Sequence, residues 1–138
     1  MKIQRKVQAI IYDIKNNKPR FLIFRRILRW RGWELCKETI EKGETPYQTL
    51  LRGLKEETGF KKIRSIKRLA IRRQWKINHV LYKIVESYLV HATMNEKTSL
   101  DRAEHSSCRW ITKNHLLKLL THKDQKTFFQ RVYRNVFK

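Results

Sequence analysis

Residues 44–60, ETPYQTLLRGLKEETGF, constrain the chain more than any other stretch, because both ends of a helix are written in them. Thr45 is a helix-capping residue, Pro46 fits the first helical position, where a missing N–H costs nothing, and Gly59 suits the left-handed residue that closes a helix. The spacing therefore predicts a helix from Pro46 to Thr58. Its apolar residues Tyr47, Leu50, Leu51 and Leu54 recur at three- and four-residue intervals and are expected to form the buried stripe. Glu56 and Glu57 are then expected on the opposite, solvent side. Adjacent carboxylates on a rigid helix, with Glu44 near its start, suit a hard divalent cation such as magnesium. An isolated Glu-Glu pair is more often just the solvated end of a helix.

The rest of the chain must bury that stripe within 138 residues, enough for one domain spanning 1–138. Ile3–Ile14 reads as a first strand, its run VQAIIY apolar enough for burial on both faces, and Arg20–Leu28 as a second strand returning after a turn at 15–19. Trp30 and Trp33 flank Gly32. Ile63–Ile77 alternates weakly and is rich in Lys and Arg, with the Arg72/Arg73 pair and Trp75 among them, and His79–His91 alternates clearly enough to be a long strand. After a polar stretch at 93–105, a short strand SCRWIT, a helix beginning near Thr112 or Asn114 and a last helix over 124–137 complete the order.

Lys and Arg number 33 against 12 Asp and Glu, a formal charge of +21. Such a field favours polyanions: nucleotide polyphosphates, RNA or a ribonucleoprotein. Cys36 and Cys108 have no metal-ligand spacing to a neighbouring Cys or His and are expected to be free thiols. No apolar run approaches the length of a membrane span, and MKIQRK leads into a strand without a signal-peptide core. The expectation is an intracellular, cytoplasmic protein with no membrane partner.

The stretch from Trp33 to Phe60, WELCKETIEKGETPYQTLLRGLKEETGF, resembles the Nudix box of nucleoside diphosphate-linked hydrolases: Gly, five residues, Glu, seven residues, then Arg-Glu-apolar-x-Glu-Glu-x-Gly-apolar. Glu44, Arg52, Leu54, Glu56, Glu57, Gly59 and Phe60 fall at the required spacings. Glu38 stands where the box has Gly, and Gly53 where it has the first Glu. Residues 104–129, EHSSCRWITKNHLLKLLTHKDQKTFF, are similar to the C-terminal part of asymmetric diadenosine tetraphosphate hydrolases. So is the lead-in to the box, which keeps Lys37, Glu41, Gly43 and Glu44 with Cys36 in place of Pro.

The resemblance implies an α/β fold, a Nudix-type α/β/α sandwich with a mixed sheet, and hydrolysis of a phosphoanhydride with Mg2+ or Mn2+. On its template Glu56, Glu57 and Glu104 are metal ligands and Glu104 and Glu57 act in catalysis. Arg52 holds the catalytic loop, and Gly43, Glu44 and Gly59 shape it. Lys37, Lys83, Arg72 and Arg73 are candidates for the phosphate chain, and Tyr82 and Tyr88 for stacking a base. Gly53 removes a carboxylate from the helix and costs about 1 kcal/mol of helix propensity relative to Ala. A Glu at that position is expected to restore both, while Glu38, beside the helix, offers partial compensation. Three readings stand: a hydrolase of dinucleoside polyphosphates or related nucleotides, with activity reduced by these departures; an impaired Nudix domain binding RNA or the ribosome; and an RNA 5′-end pyrophosphohydrolase or decapping enzyme.

Overall fold

The computed structural model describes residues 1–98 and 105–137, with Ser106 by its backbone alone. Strand β1 (Lys2–Lys15) and β2 (Lys18–Arg26) form the expected antiparallel hairpin. Its turn is made by Asn16 and Asn17 at φ 53° and 64°. Asn tolerates this left-handed conformation, and two such residues in succession match the twist of the flanking strands. Short strands β3 (Gly32–Glu34) and β4 (Cys36–Thr39) follow, then helix α1 (Pro46–Thr58). The basic stretch after α1 splits into β5 (Ser65–Leu69) and β6 (Arg73–Ile77), both antiparallel to the long β7 (Val80–His91). Strand β8 (His105–Ile111), α2 (Lys113–Leu119) and α3 (Lys123–Val136) end the described chain.

These strands build one mixed sheet in the order β3-β2-β1-β7-β5, with β4 also on β1, β6 on β7 and β8 on β2. The pairing of β1 with β7 is parallel along nearly the whole of both strands. Being covered on both faces, β1 carries an unbroken buried run, Val7–Ile11. On one face Val7, Ala9, Ile11, Leu22 and Phe24 pack with Leu50 and Leu54 of α1. On the other, Ile10, Phe21 and Ile23 pack with Leu116, Phe128, Phe129 and Val132 of α2 and α3. The result is the α/β/α sandwich with a mixed sheet. No helix among the described residues is long and apolar enough to cross a membrane.

Both ends of α1 lie where the caps demand. The Thr45 hydroxyl accepts the Gln48 N–H at 3.2 Å, the Gln48 side chain accepts the Thr45 N–H at 2.9 Å, and Gly59 closes the helix at φ 70°. The buried stripe, however, is rotated from the expected one. Leu50 and Leu54 are buried, but Tyr47 and Leu51 are 48% and 42% exposed, and Thr49, Gly53 and Glu57 take the inner positions instead. The apolar pattern marked the correct side of the helix but not its width, because strand β4 packs over Gly53. Glu57 is thus not on the solvent side: it is 2% exposed, three residues on from Leu54 and facing inward.

Candidate active site

Arg52 is the hub of the loop that leads into α1. Its Nε and Nη2 donate to the two carboxylate oxygens of Glu44 at 2.7 and 2.9 Å, and Nη2 also donates to the Thr39 carbonyl at 2.8 Å. Glu44 further accepts the Glu41 N–H and the Thr49 hydroxyl, each at 2.9 Å. The bidentate guanidinium and these donors hold the Glu44 carboxyl at about 2, well below the usual range. The third nitrogen, Nη1, lies 3.5 Å from Glu38, 3.6 Å from Glu41 and 3.4 Å from Glu56. Arg52 therefore positions the loop, with Gly43 at φ 83° allowing its turn. Glu56 remains open to solvent on the outer helix face.

Glu57 points the other way, into a buried chain of charges. His105, from β8, lies 2.5 Å from Glu57 through Nδ1 and 2.7 Å from Glu34 through Nε2. Burial alone would lower the imidazole pKa, but the hydrogen bonds to Glu34 and Glu57 outweigh it and push it up to about 9. At neutral pH the ring is an imidazolium that donates from both nitrogens. Glu34 also accepts from Arg26 at 2.9 Å and lies 3.9 Å from Lys37. Despite its burial, these partners keep its carboxyl below the usual range. Burial pulls the Lys37 ammonium down. One oxygen of Glu34, Oε1, is buried with no hydrogen-bond partner among the described residues.

Arg26 and Lys37 connect this chain to a cleft of about 490 Å3. Trp30 lines it, its ring edge-on to His122 at 4.4 Å. Trp75 and Tyr82 line it too, stacked on each other at 5.5 Å and 12°. Lys37 and Arg73 stand over the Trp75 ring, Arg26 over Trp30 and Lys6 over Tyr82. Arg73 is held by Gln8 and by an ion pair to Asp124. Aromatic rings and cations lining one cleft suit flat rings that carry phosphates.

The candidate binding residues thus divide. Lys37, Arg73 and Tyr82 meet in this cleft. Lys83 points to the opposite face of β7 from Tyr82 and, with Arg72, Arg5, Glu86 and the shared Arg73, lines a second basic cleft of about 610 Å3. Tyr88 does not offer a face for stacking: it is buried among Leu50, Leu54 and Val90, and its hydroxyl donates to Glu86. Glu104 lies outside the described residues. Sequence reasoning passed over Glu34, His105, Arg26 and Trp30 as site residues. Glu34 had a signal of its own, a lone carboxylate between Trp33 and Leu35 in an apolar segment.

Among the described residues no three acidic, His or Cys side chains converge to hold a cation by themselves. Magnesium does not require such a cage: it keeps several waters and binds through one or two carboxylates together with substrate phosphates. Glu56, open to solvent beside Glu38, fits that role. For Glu57 one oxygen is already engaged by His105.

A mixed sheet between helices, an Arg-clamped loop leading into α1 and a cleft lined by aromatic and basic side chains define an α/β protein with a site suited to anions. The sequence matches the NUDIX domain over residues 4–132, and the chain belongs to the Nudix family, whose enzymes are hydrolases that generally use divalent metals such as Mg2+. Comparison with curated proteins finds no match. Among solved structures the chain is similar to a C. elegans Ap4A hydrolase in a binary complex, at TM-score 0.82 and 15% identity over 97% of this chain and 98% of that one. It is also similar to the E. coli dihydroneopterin triphosphate pyrophosphohydrolase, at TM-score 0.79 and 14% identity over 99% and 100%. The NUDIX domain of Shewanella oneidensis NrtR complexed with ADP ribose aligns at TM-score 0.77 and 16% identity over 99% and 89%.

Proposed function

We propose that the protein is a magnesium-dependent hydrolase of phosphoanhydrides in dinucleoside polyphosphates or related nucleotides. The observation that carries this reading is the cleft lined by Trp30, Trp75 and Tyr82 together with Lys6, Arg26, Lys37 and Arg73, each cation over one of these rings. Bases stack on these rings, and the phosphates they carry meet the cations. Arg26 and Lys37, tied to Glu34, meet the phosphate chain in the cleft. His105 fixes Glu57 and Glu34 in place without titrating near neutral pH. Glu56 would hold a magnesium ion, which would supply charge neutralisation and an activated water to the reaction. The structural likeness to an Ap4A hydrolase and to a pyrophosphohydrolase of a triphosphate supports this substrate class. Steady-state assay with diadenosine tetraphosphate and Mg2+ or Mn2+ tests it: slow turnover that Glu56→Gln abolishes is expected. No turnover of any nucleoside polyphosphate with either metal would overturn it.

The second cleft favours a further substrate form. Arg73 and Gln74 border both clefts, so a chain seated in the first continues past them onto Arg72, Lys83 and Arg5. An RNA 5′ end, with its triphosphate in the first cleft and following nucleotides in the second, uses both, and the +21 charge suits it. A preference for 5′-triphosphorylated RNA over diadenosine tetraphosphate in kcat/KM selects this form. RNA binding that persists with no hydrolysis of either substrate selects an RNA- or ribosome-binding role.

A further inference from the structure

The two positions at which the chain departs from the Nudix box touch each other. A Cβ built on Gly53 would lie 3.1 Å from both Cβ and Cγ of Glu38 and 3.3 Å from its Oε2. Residue 53 is on the buried face of α1, and Glu38 leaves strand β4 directly over it. The side chain of Glu38 therefore occupies the space that a side chain at 53 would enter. We propose that the cation-ligating carboxylate has moved from the helix to the facing strand: Glu38 supplies the ligand that the box places at 53, and Gly53 is the glycine that makes room for it.

Charge and direction support the exchange. Glu38 Oε1 and Glu56 Oε2 approach the same guanidinium nitrogen of Arg52, at 3.5 and 3.4 Å, so the strand carboxylate ends beside the helix carboxylate. Four of the chain's 12 acidic residues, Glu38, Glu41, Glu44 and Glu56, gather around this one cation in a protein of net charge +21. A carboxylate pair from strand and helix, completed by phosphate oxygens and water, meets the needs of magnesium.

The exchange also reverses the expected effect of Gly53→Glu. The new Cβ would crowd the Cβ of Glu38, which is fixed to a paired strand and cannot swing away, and its carboxylate would sit against a like charge. The single change is destabilising and is relieved only when Glu38 becomes Gly.

This inference rests on the hydrolase reading, and the test separates the two. Mn2+ binding to the full chain without nucleotide is followed by electron paramagnetic resonance, and thermal unfolding is followed alongside. The variants are Glu38→Gln, Glu56→Gln, Gly53→Glu and Glu38→Gly/Gly53→Glu. Glu38→Gln and Glu56→Gln are each expected to weaken Mn2+ binding on the order of tenfold or more, the loss typical when a metal site loses a supporting group. Gly53→Glu alone is expected to unfold at lower temperature than the parent, and the double variant to regain both stability and Mn2+ affinity. Parent-like Mn2+ affinity in Glu38→Gln, with Glu56→Gln weakened, overturns the exchange and leaves the hydrolase reading standing. A double variant less stable than Gly53→Glu also overturns it. A parent that binds no Mn2+, with or without nucleotide, overturns both.

Discussion

His105 Nδ1 lies 2.5 Å from Oε2 of Glu57 in the interior of the protein, joining residues 48 positions apart. Neither partner is isolated, since the other ring nitrogen bonds Glu34, and Glu34 bonds Arg26. Removing the imidazolium would leave two buried carboxylates facing each other. His105→Ala is expected to destabilise the fold by roughly 3–5 kcal/mol, the range for breaking a buried ion pair, as read by urea unfolding.

The same group sets a pH dependence. Its pKa rises from 6.5 in the open chain to about 9 in the folded protein. Its stabilisation is therefore complete below the unfolded value and is lost as pH rises through the folded one. Unfolding free energies should fall between about pH 6.5 and pH 9.5, and His105→Gln should flatten that part of the profile. An identical slope in the variant would show that another group titrates.

Arg52→Lys keeps the charge but not the fork that grips both oxygens of Glu44 while reaching the Thr39 carbonyl. The expected effect is loosening of residues 39–44, seen as faster amide exchange at Glu41 and Glu44, with catalysis reduced through the displaced loop. Unchanged exchange there would remove Arg52 from its positioning role.

Gly32 lies against the turn between α2 and α3. A Cβ on it would fall 2.0 Å from Thr121 Oγ1, an oxygen that accepts the Trp33 N–H at 2.9 Å. Gly32→Ala must push the two segments apart and should cost about 1–3 kcal/mol, measured by thermal unfolding. Parent-like unfolding would mean that this contact is not close in solution.

Trp75→Ala removes a stacking wall and the ring beneath Lys37 and Arg73. Losing one base stack is worth about 1–3 kcal/mol, so KM for diadenosine tetraphosphate should rise about tenfold or more, with a smaller change in kcat. Lys83→Ala, in the second cleft, should instead lower the salt slope of RNA binding by about 0.7, the share of one phosphate contact on a single strand. The opposite pattern would exchange the roles of the two clefts.

By itself the sequence determined the features that local chemistry controls. Thr45, Gln48, Pro46 and Gly59 specify both ends of α1 because capping depends on residues within a turn of one another. The hairpin of β1 and β2 and the fixed spacing from Glu44 through Arg52 to Glu56 were legible for the same reason. Tertiary structure decided what covers each face. Helical periodicity could not show that Glu57 turns inward, since its burial depends on His105 arriving from β8. Alternation along β7 separated Tyr82 from Lys83, but only the packing of β6 and α3 made one of those faces an aromatic cleft. In the sequence Glu38 and Gly53 are two departures 15 positions apart, the first only a partial compensation for the second. They are one contact in the fold, because β4 lies across α1 and brings a strand side chain into the space the helix leaves empty.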